Sequence, residues 1–285
     1  MIGHEAIIAD LKDLNDRGAL GHGYIFAGPA MVGKRTVAAA LGHYLEKGVF
    51  EGQEILQDTK IIDVAFMKML DADASGDSIG IDAAREVKTF LWQKPNTSVR
   101  RTLIIDNAEL LTTEAQNALL KITEEPPASS LLIFITSDIE SILPTIVSRL
   151  PKIYFGAVAT ETIEKWLVSD ESVAKAKATT LAKRSLGKPG IAWRMLHDEA
   201  FQKNLELAEA FLKTTPTGRR DFVKKIIDPD DFSLRIFLDA VIMTLAWDLP
   251  SNKSKLQFWH KTLKLYEGVN NFSLNPRLQL EALMK

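Results

Sequence analysis

The segment YIFAGPAMVGKRTVAAALGHYL, residues 24–45, limits the possible folds more than any other stretch of the chain. An apolar run enters a glycine turn, and the turn opens a helical pattern. Gly28, Gly33 and Lys34 match the phosphate-binding pattern G-x-x-x-x-G-K-[ST] in the strand-then-helix context that the pattern requires. Glycines let backbone N–H groups converge on phosphate oxygens, and the helix start adds partial positive charge. Lys34 would reach the outer phosphates. Arg35, however, stands where a hydroxyl would ligate Mg²⁺, and Thr36 comes one residue late, about 100° further round the helix. The loop is read as descended from a nucleotide-binding loop, with ATP or ADP as its candidate ligand.

Further apolar runs follow at 61–66 (IIDVAF), 102–106 (TLIID), 131–136 (LLIFIT) and 152–155 (KIYF). They are nearly continuous in apolar residues, as in parallel strands covered on both faces by helices. Helical patterns at 34–47, 81–93 and 112–123 separate them. Thr113 and Gln116 suggest a capping box for the last of these, and Pro126 and Pro127 stop it. Beyond about residue 160 strand signals vanish. Helices are expected at 160–169, 171–185, 189–196, 199–213, 219–227, 232–247, 254–268 and 275–284, with turns at TTPTG (214–218) and DLPSN (248–252). The reading is an α/β parallel-sheet domain followed by an all-α tail.

Composition narrows the chemistry. The chain contains no cysteine, which removes disulfides, thiolate metal sites and Cys nucleophiles. Its five histidines are scattered, without an H-x-x-x-H pair, which argues against a zinc hydrolase. A net charge of −2 gives no global basic field for bulk nucleic-acid binding. Basic clusters at 182–188, 218–220 and 224–225 read as solvated helix faces, and Trp166, Trp193, Trp247 and Trp259 as core. No apolar run is long enough to span a bilayer, and a cytoplasmic location is expected. No G-x-S-x-G elbow supports an unrelated hydrolase.

Asp106 ends an apolar strand at the position of a Walker B aspartate, which holds the metal through water. The next residue is Asn107, where a hydrolytic enzyme of this type places a glutamate base; an amide cannot take the proton. Glu109 is expected elsewhere on the turn or helix start. Two parts of a hydrolytic site are thus altered together.

GHGYIFAGPAMVGKRTVAAALGHYL, TLIIDNAELLTTEAQNALLKITEEPP, FITSDIESILPTIVSRLPKIYF and NFSLNPRLQLEALM together resemble the bacterial clamp-loader branch of the AAA+ family over essentially the whole chain. The resemblance implies a P-loop AAA+ domain (1–157), a small helical lid (158–202) and a helical oligomerisation collar (203–285). The apolar residues Phe211, Phe237, Trp247, Phe258, Trp259, Phe272 and Leu280 are assigned to that collar. The implied partners are gamma/tau-type and delta-type subunits, with a sliding clamp and primed DNA reached through the complex. Thr136 and Ser137 fall at the sensor 1 position, and Gly190 at the sensor 2 position that an arginine occupies in hydrolysing relatives. Arg149, in Ser148-Arg149-Leu150, matches the arginine finger that acts in a neighbour's site; the plain alternative is a structural pair with Asp138 or Glu140. Many bacterial relatives carry a four-cysteine zinc module, which segment 46–60 cannot provide, so no zinc is expected. Arg35, Asn107 and Gly190 favour a non-hydrolysing member over a gamma/tau-type motor subunit.

Overall fold

A computed structural model of the chain describes residues 1–50, 56–70, 78–227, 232–248, 255–271 and 275–283. It divides into two compact units, 1–192 and 193–285.

The first unit is built on five parallel strands: β1 (Gly23–Ala27), β2 (Thr59–Ile62), β3 (Arg101–Ile105), β4 (Ser130–Thr136) and β5 (Lys152–Tyr154), in the order β2-β3-β4-β1-β5. The three inner strands are buried along their whole length, which explains their unbroken apolar sequences. Each sheet face carries its own apolar cluster. Leu11, Phe26, Val37, Leu41 and Phe155 lie in one, beneath α1 (Glu5–Asp16) and α2 (Lys34–Lys47). Ile105, Leu119, Phe134 and Ile146 lie in the other, beneath α4 (Ile81–Leu91), α5 (Thr113–Glu124) and the short α6 (Pro144–Val147).

Several expectations need correction. IIDVAF is not one strand: β2 ends at Ile62, and α3 (Val64–Leu70) begins two residues later. Asp63 makes the break, because its carboxylate accepts the Phe66 N–H at 2.8 Å as an N-cap does. The cap of α5 is Thr112 rather than Thr113; Thr112 Oγ1 accepts the Ala115 N–H at 3.2 Å. Gln116 does not close a capping box. It is buried and serves another contact, described below.

Helices α7 (Thr160–Ser169) and α8 (Lys175–Arg184) complete the first unit with the start of α9 (Pro189–His197). The second unit holds the rest of α9 and α10 (Glu199–Lys213), α11 (Pro216–Ile227), α12 (Leu234–Asp248), α13 (Leu256–Asn271) and α14 (Pro276–Leu283). Pro216 opens α11, so the expected turn at 214–218 is cut short, as Pro at a first helical position allows. Phe211, Phe237, Val241, Leu245 and Leu280 are fully buried there, and the Phe211 and Phe237 rings meet edge-to-face at 5.6 Å. Of the tryptophans expected in the core, Trp193 is 49% exposed, whereas Trp166, Trp247 and Trp259 are partly buried. Lys183, Arg184, Lys224 and Lys225 are exposed, as expected of solvated faces. Phe272, most of the expected 248–252 turn and residues 51–55 of segment 46–60 lie outside the described residues.

Candidate functional site

The glycine loop leaves the carboxyl end of β1 and runs into α2, where ligands sit in open α/β sheets. Its shape depends on its glycines. Gly28 has φ +144°, and a Cβ there would lie 2.1 Å from the Phe155 carbonyl oxygen. Gly33 has φ +110° at the cap of α2.

The loop carbonyls are bonded within the chain. Lys34 Nζ donates to the Gly28 carbonyl and, at 2.7 Å, to that of Pro29. Met31 O accepts the Gly190 N–H at 3.0 Å, and Val32 O lies 3.0 Å from His4 Nε2. Gly190, expected at a sensor 2 position, therefore packs directly on the loop; a Cβ there would come within 3.0–3.2 Å of Met31 Sδ, Cβ and O. Lys34 is buried. Desolvation pushes its ammonium below its ordinary range, against the opposing pull of Glu109 and Asp106. The first N–H groups of α2 have no intrahelical acceptor, as at any helix start.

Arg35 does not point away into solvent. Its Nη1 donates to Asp63 Oδ2 at 2.8 Å and to Asp106 Oδ2 at 3.0 Å. Asp106 follows β3 and Asp63 follows β2, so neighbouring strand ends present both carboxylates to one guanidinium. The remaining oxygens are engaged too: Asp63 Oδ1 caps α3 and Asp106 Oδ1 accepts the Asn107 N–H at 3.1 Å. Burial alone would raise the Asp63 carboxyl, but the Phe66 N–H and Arg35 outweigh it and hold the group below its ordinary range. A P-loop fold implies Mg²⁺ beside the phosphates. The residues do not fit it: the hydroxyl ligand is replaced, and a tethered cation takes the aspartate. Among the described residues no group of three or more His, Cys, Asp or Glu could hold a metal.

Thr36 is exposed on α2 and joins none of these contacts. Asn107 sits at φ +55° ahead of a 3-10 turn, Ala108–Leu110. That turn carries Glu109, whose carboxylate accepts from Ser137 Oγ at 2.6 Å. Thr136 is buried at the end of β4, and its hydroxyl donates to Asp138 O at 2.7 Å.

Arg149 lies at the other end of the sheet. It precedes β5, whose start pairs with the middle of β1, and the Leu150 side chain lies against Gly23. The length of β1, five residues and roughly 16 Å, separates it from the chain's own loop. Its Nη2 ion-pairs with Glu124 at 2.5 Å, and neither Asp138 nor Glu140 is its partner. Asp138 instead accepts the Glu140 N–H and caps a short 3-10 turn. Asp63 and Glu124 are the two residues that sequence reasoning missed. Asp63 had a readable signal, a capping residue type just ahead of an apolar helical pattern; Glu124 had none.

A parallel sheet of this order, with a glycine loop after β1 and an aspartate after β3, is the fold of an AAA+ P-loop module. The chain belongs to the clamp-loader branch: the family described as "DNA polymerase III, delta subunit" matches residues 3–159, more than half of it. It is 35% identical over 158 residues to DNA polymerase III subunit gamma/tau of Mycobacterium tuberculosis, covering 52% of this chain and 27% of that protein. It is 29% identical over 141 residues to subunit delta' of Escherichia coli, covering 50% of this chain and 42% of that one. The chain thus spans less than half the length of these relatives. The structure of a gamma subunit-related protein from Thermotoga maritima matches with a TM-score of 0.61 at 21% identity, covering 96% of this chain and 97% of that one, a likeness of fold.

Proposed function

We propose that the chain is a delta-prime-type clamp-loader subunit of DNA polymerase III, an AAA+ scaffold without efficient ATPase activity of its own. The observation that carries this reading is the bond from one Arg35 nitrogen to both Asp63 and Asp106. It offsets the charge of the aspartate at the metal position with a guanidinium that keeps its own charge at any ordinary pH. Asn107 removes the base, and Gly190 stands where hydrolysing relatives are expected to carry an arginine. The loop retains N–H donors for phosphate, so ATP or ADP can bind weakly without a metal while hydrolysis is lost.

In this reading Arg149 is the active contribution. Its distance from the chain's own loop supports action in trans, as an arginine finger on a neighbouring ATPase subunit. Such fingers contribute on the order of 10³–10⁵ in rate. The three parts 1–157, 158–202 and 203–285 serve as nucleotide-type domain, lid and collar. The partners are gamma/tau-type and delta-type subunits, with sliding clamp and primed DNA contacted through the assembly, in the cytoplasm. Among the described residues no helix is long and apolar enough to cross a membrane.

The alternative is a gamma/tau-type motor subunit, favoured by the 35% identity to a protein of that name. ATP turnover of the purified chain separates the two. The scaffold reading expects turnover equal to that of a Lys34→Ala control; turnover that this substitution abolishes establishes the motor.

A further inference from the structure

The Arg149 side chain is held by two elements. Nη2 pairs with Glu124, the last residue of α5, and Nη1 donates to the Thr145 carbonyl in α6 at 2.6 Å. A guanidinium has five N–H donors in a fixed plane. Two held nitrogens fix that plane and leave the Nε–H edge and one N–H on each terminal nitrogen for another ligand. The helix that supplies Glu124 is itself tied to the segment leading into α6. The Gln116 side-chain amide donates to Ser141 O at 3.0 Å and to Leu111 O at 3.2 Å, and its oxygen accepts the Leu143 N–H at 2.7 Å. Helix α5 therefore fixes both the backbone that carries Arg149 and the direction of its side chain.

We propose that Glu124 is the positioning residue for Arg149, setting the orientation in which the guanidinium is offered to the phosphates of a neighbouring subunit. The proposal rests on the reading of Arg149 as a finger in trans. Two effects of Glu124 oppose each other, and their signs differ. As a charge, the carboxylate offsets part of the guanidinium and weakens its pull on phosphate. As a tether, it removes the freedom of a long side chain before the neighbour arrives, and misplacement of a reacting group by about 1 Å can cost 10²-fold in rate. The pair is half-exposed, where solvent screens the charge effect. Screening does not relax a geometric constraint, so orientation wins.

The test uses the full chain assembled with a gamma/tau-type ATPase, with assembly checked for each variant and ATP as substrate. Glu124→Ala is expected to lower kcat about tenfold, with KM changed less than about twofold. Glu124→Gln keeps an oxygen on the guanidinium and is expected to retain most of the rate. Arg149→Ala is expected to fall further, and Glu124→Ala/Arg149→Ala to fall no further than Arg149→Ala alone. A Glu124→Ala ring as fast as wild type, or faster, beside a slow Arg149→Ala ring overturns the positioning role and leaves the finger standing. Additive loss in the double variant also overturns it, because Glu124 would then act apart from Arg149. An Arg149→Ala ring with unchanged turnover removes the finger reading, and the role of Glu124 with it.

Discussion

Arg35 Nη1 and Asp106 Oδ2 lie 3.0 Å apart, the second residue of α2 bonded to the acid that a loop of this kind normally leaves to a metal. The two are 71 positions apart in the chain. Arg35→Thr frees Asp106 and Asp63 and restores a hydroxyl at the metal position. The isolated variant is expected to bind ATP at least about tenfold more tightly in Mn²⁺ than the wild type, the equivalent of one charge-assisted hydrogen bond. Turnover should remain at the Lys34→Ala level, because Asn107 still cannot act as a base. Equilibrium binding with and without Mn²⁺ checks the first expectation and phosphate release the second. Arg35 is 51% exposed, so the stability cost should stay below about 1 kcal/mol.

Gly190 is the second residue of α9, where Ala would ordinarily be favoured over Gly by about 1 kcal/mol. Here the added Cβ meets Met31 side-chain and backbone atoms at 3.0–3.2 Å. Overpacking of that kind costs about 1–3 kcal/mol. Gly190→Ala is therefore expected to destabilise the first unit slightly, against the helix trend, and Gly190→Arg more strongly. Urea unfolding of the three proteins ranks them; a stabilised Ala variant contradicts the packing of Gly190 on the loop.

Asp58 is fully buried at the foot of β2, where its carboxylate accepts the N–H groups of Asn96, Thr97 and Ser98 at 2.7–2.9 Å. Burial alone would raise its pKa, but these bonds outweigh it and hold the carboxyl below its ordinary range. The folded pKa thus lies below the unfolded value of about 3.9. The contribution is complete above the unfolded value and is lost as pH falls through the folded one. Asp58→Ala should cost about 3 kcal/mol at pH 7, since it removes the acceptor of three backbone N–H groups and takes the acid away from the buried Arg101, 3.8 Å distant. That deficit should shrink as wild type and variant are compared below pH 4. Denaturant titrations at the two pH values measure it.

In the second unit Ile236 is 50% exposed and Leu278 is 63% exposed, apolar surface that the collar reading assigns to contact with other subunits. Ile236→Asp and Leu278→Asp should leave the melting temperature of the isolated chain within about 2 °C, because neither residue is core. Co-sedimentation with gamma/tau-type and delta-type subunits should fall. Undiminished assembly of both variants would place the contact elsewhere.

The inner strands were legible because burial on both faces leaves no polar alternation to misread, and α2 was legible because its glycine loop marks its start. The β2–α3 boundary was hidden by the same continuity. IIDVAF stays apolar through the turn, and only Asp63 interrupts it. The anomaly at Arg35 was visible in the sequence, but its meaning depends on Asp63, which a different strand brings to it. Near Arg149 in the sequence, Asp138 and Glu140 are the acids that offer themselves as partners. Glu124 lies 25 positions earlier, and helix packing, which no local pattern encodes, brings it close. Trp193 is the exposed exception among the tryptophans, because an apolar stripe on a helix does not distinguish a face turned inward from one left open.

The two ends of β1 give the module a polarity. At the carboxyl end is a loop that, in the proposed reading, takes no finger productively; at the amino end is a finger to give. Units that join head to tail propagate until some copy breaks the pattern. A subunit that gives without receiving is such a break. In the proposed reading it would take a terminal place in the series, so the pairing of Arg35 with Asp106 would limit how long the row of firing sites can grow as well as silence one of them.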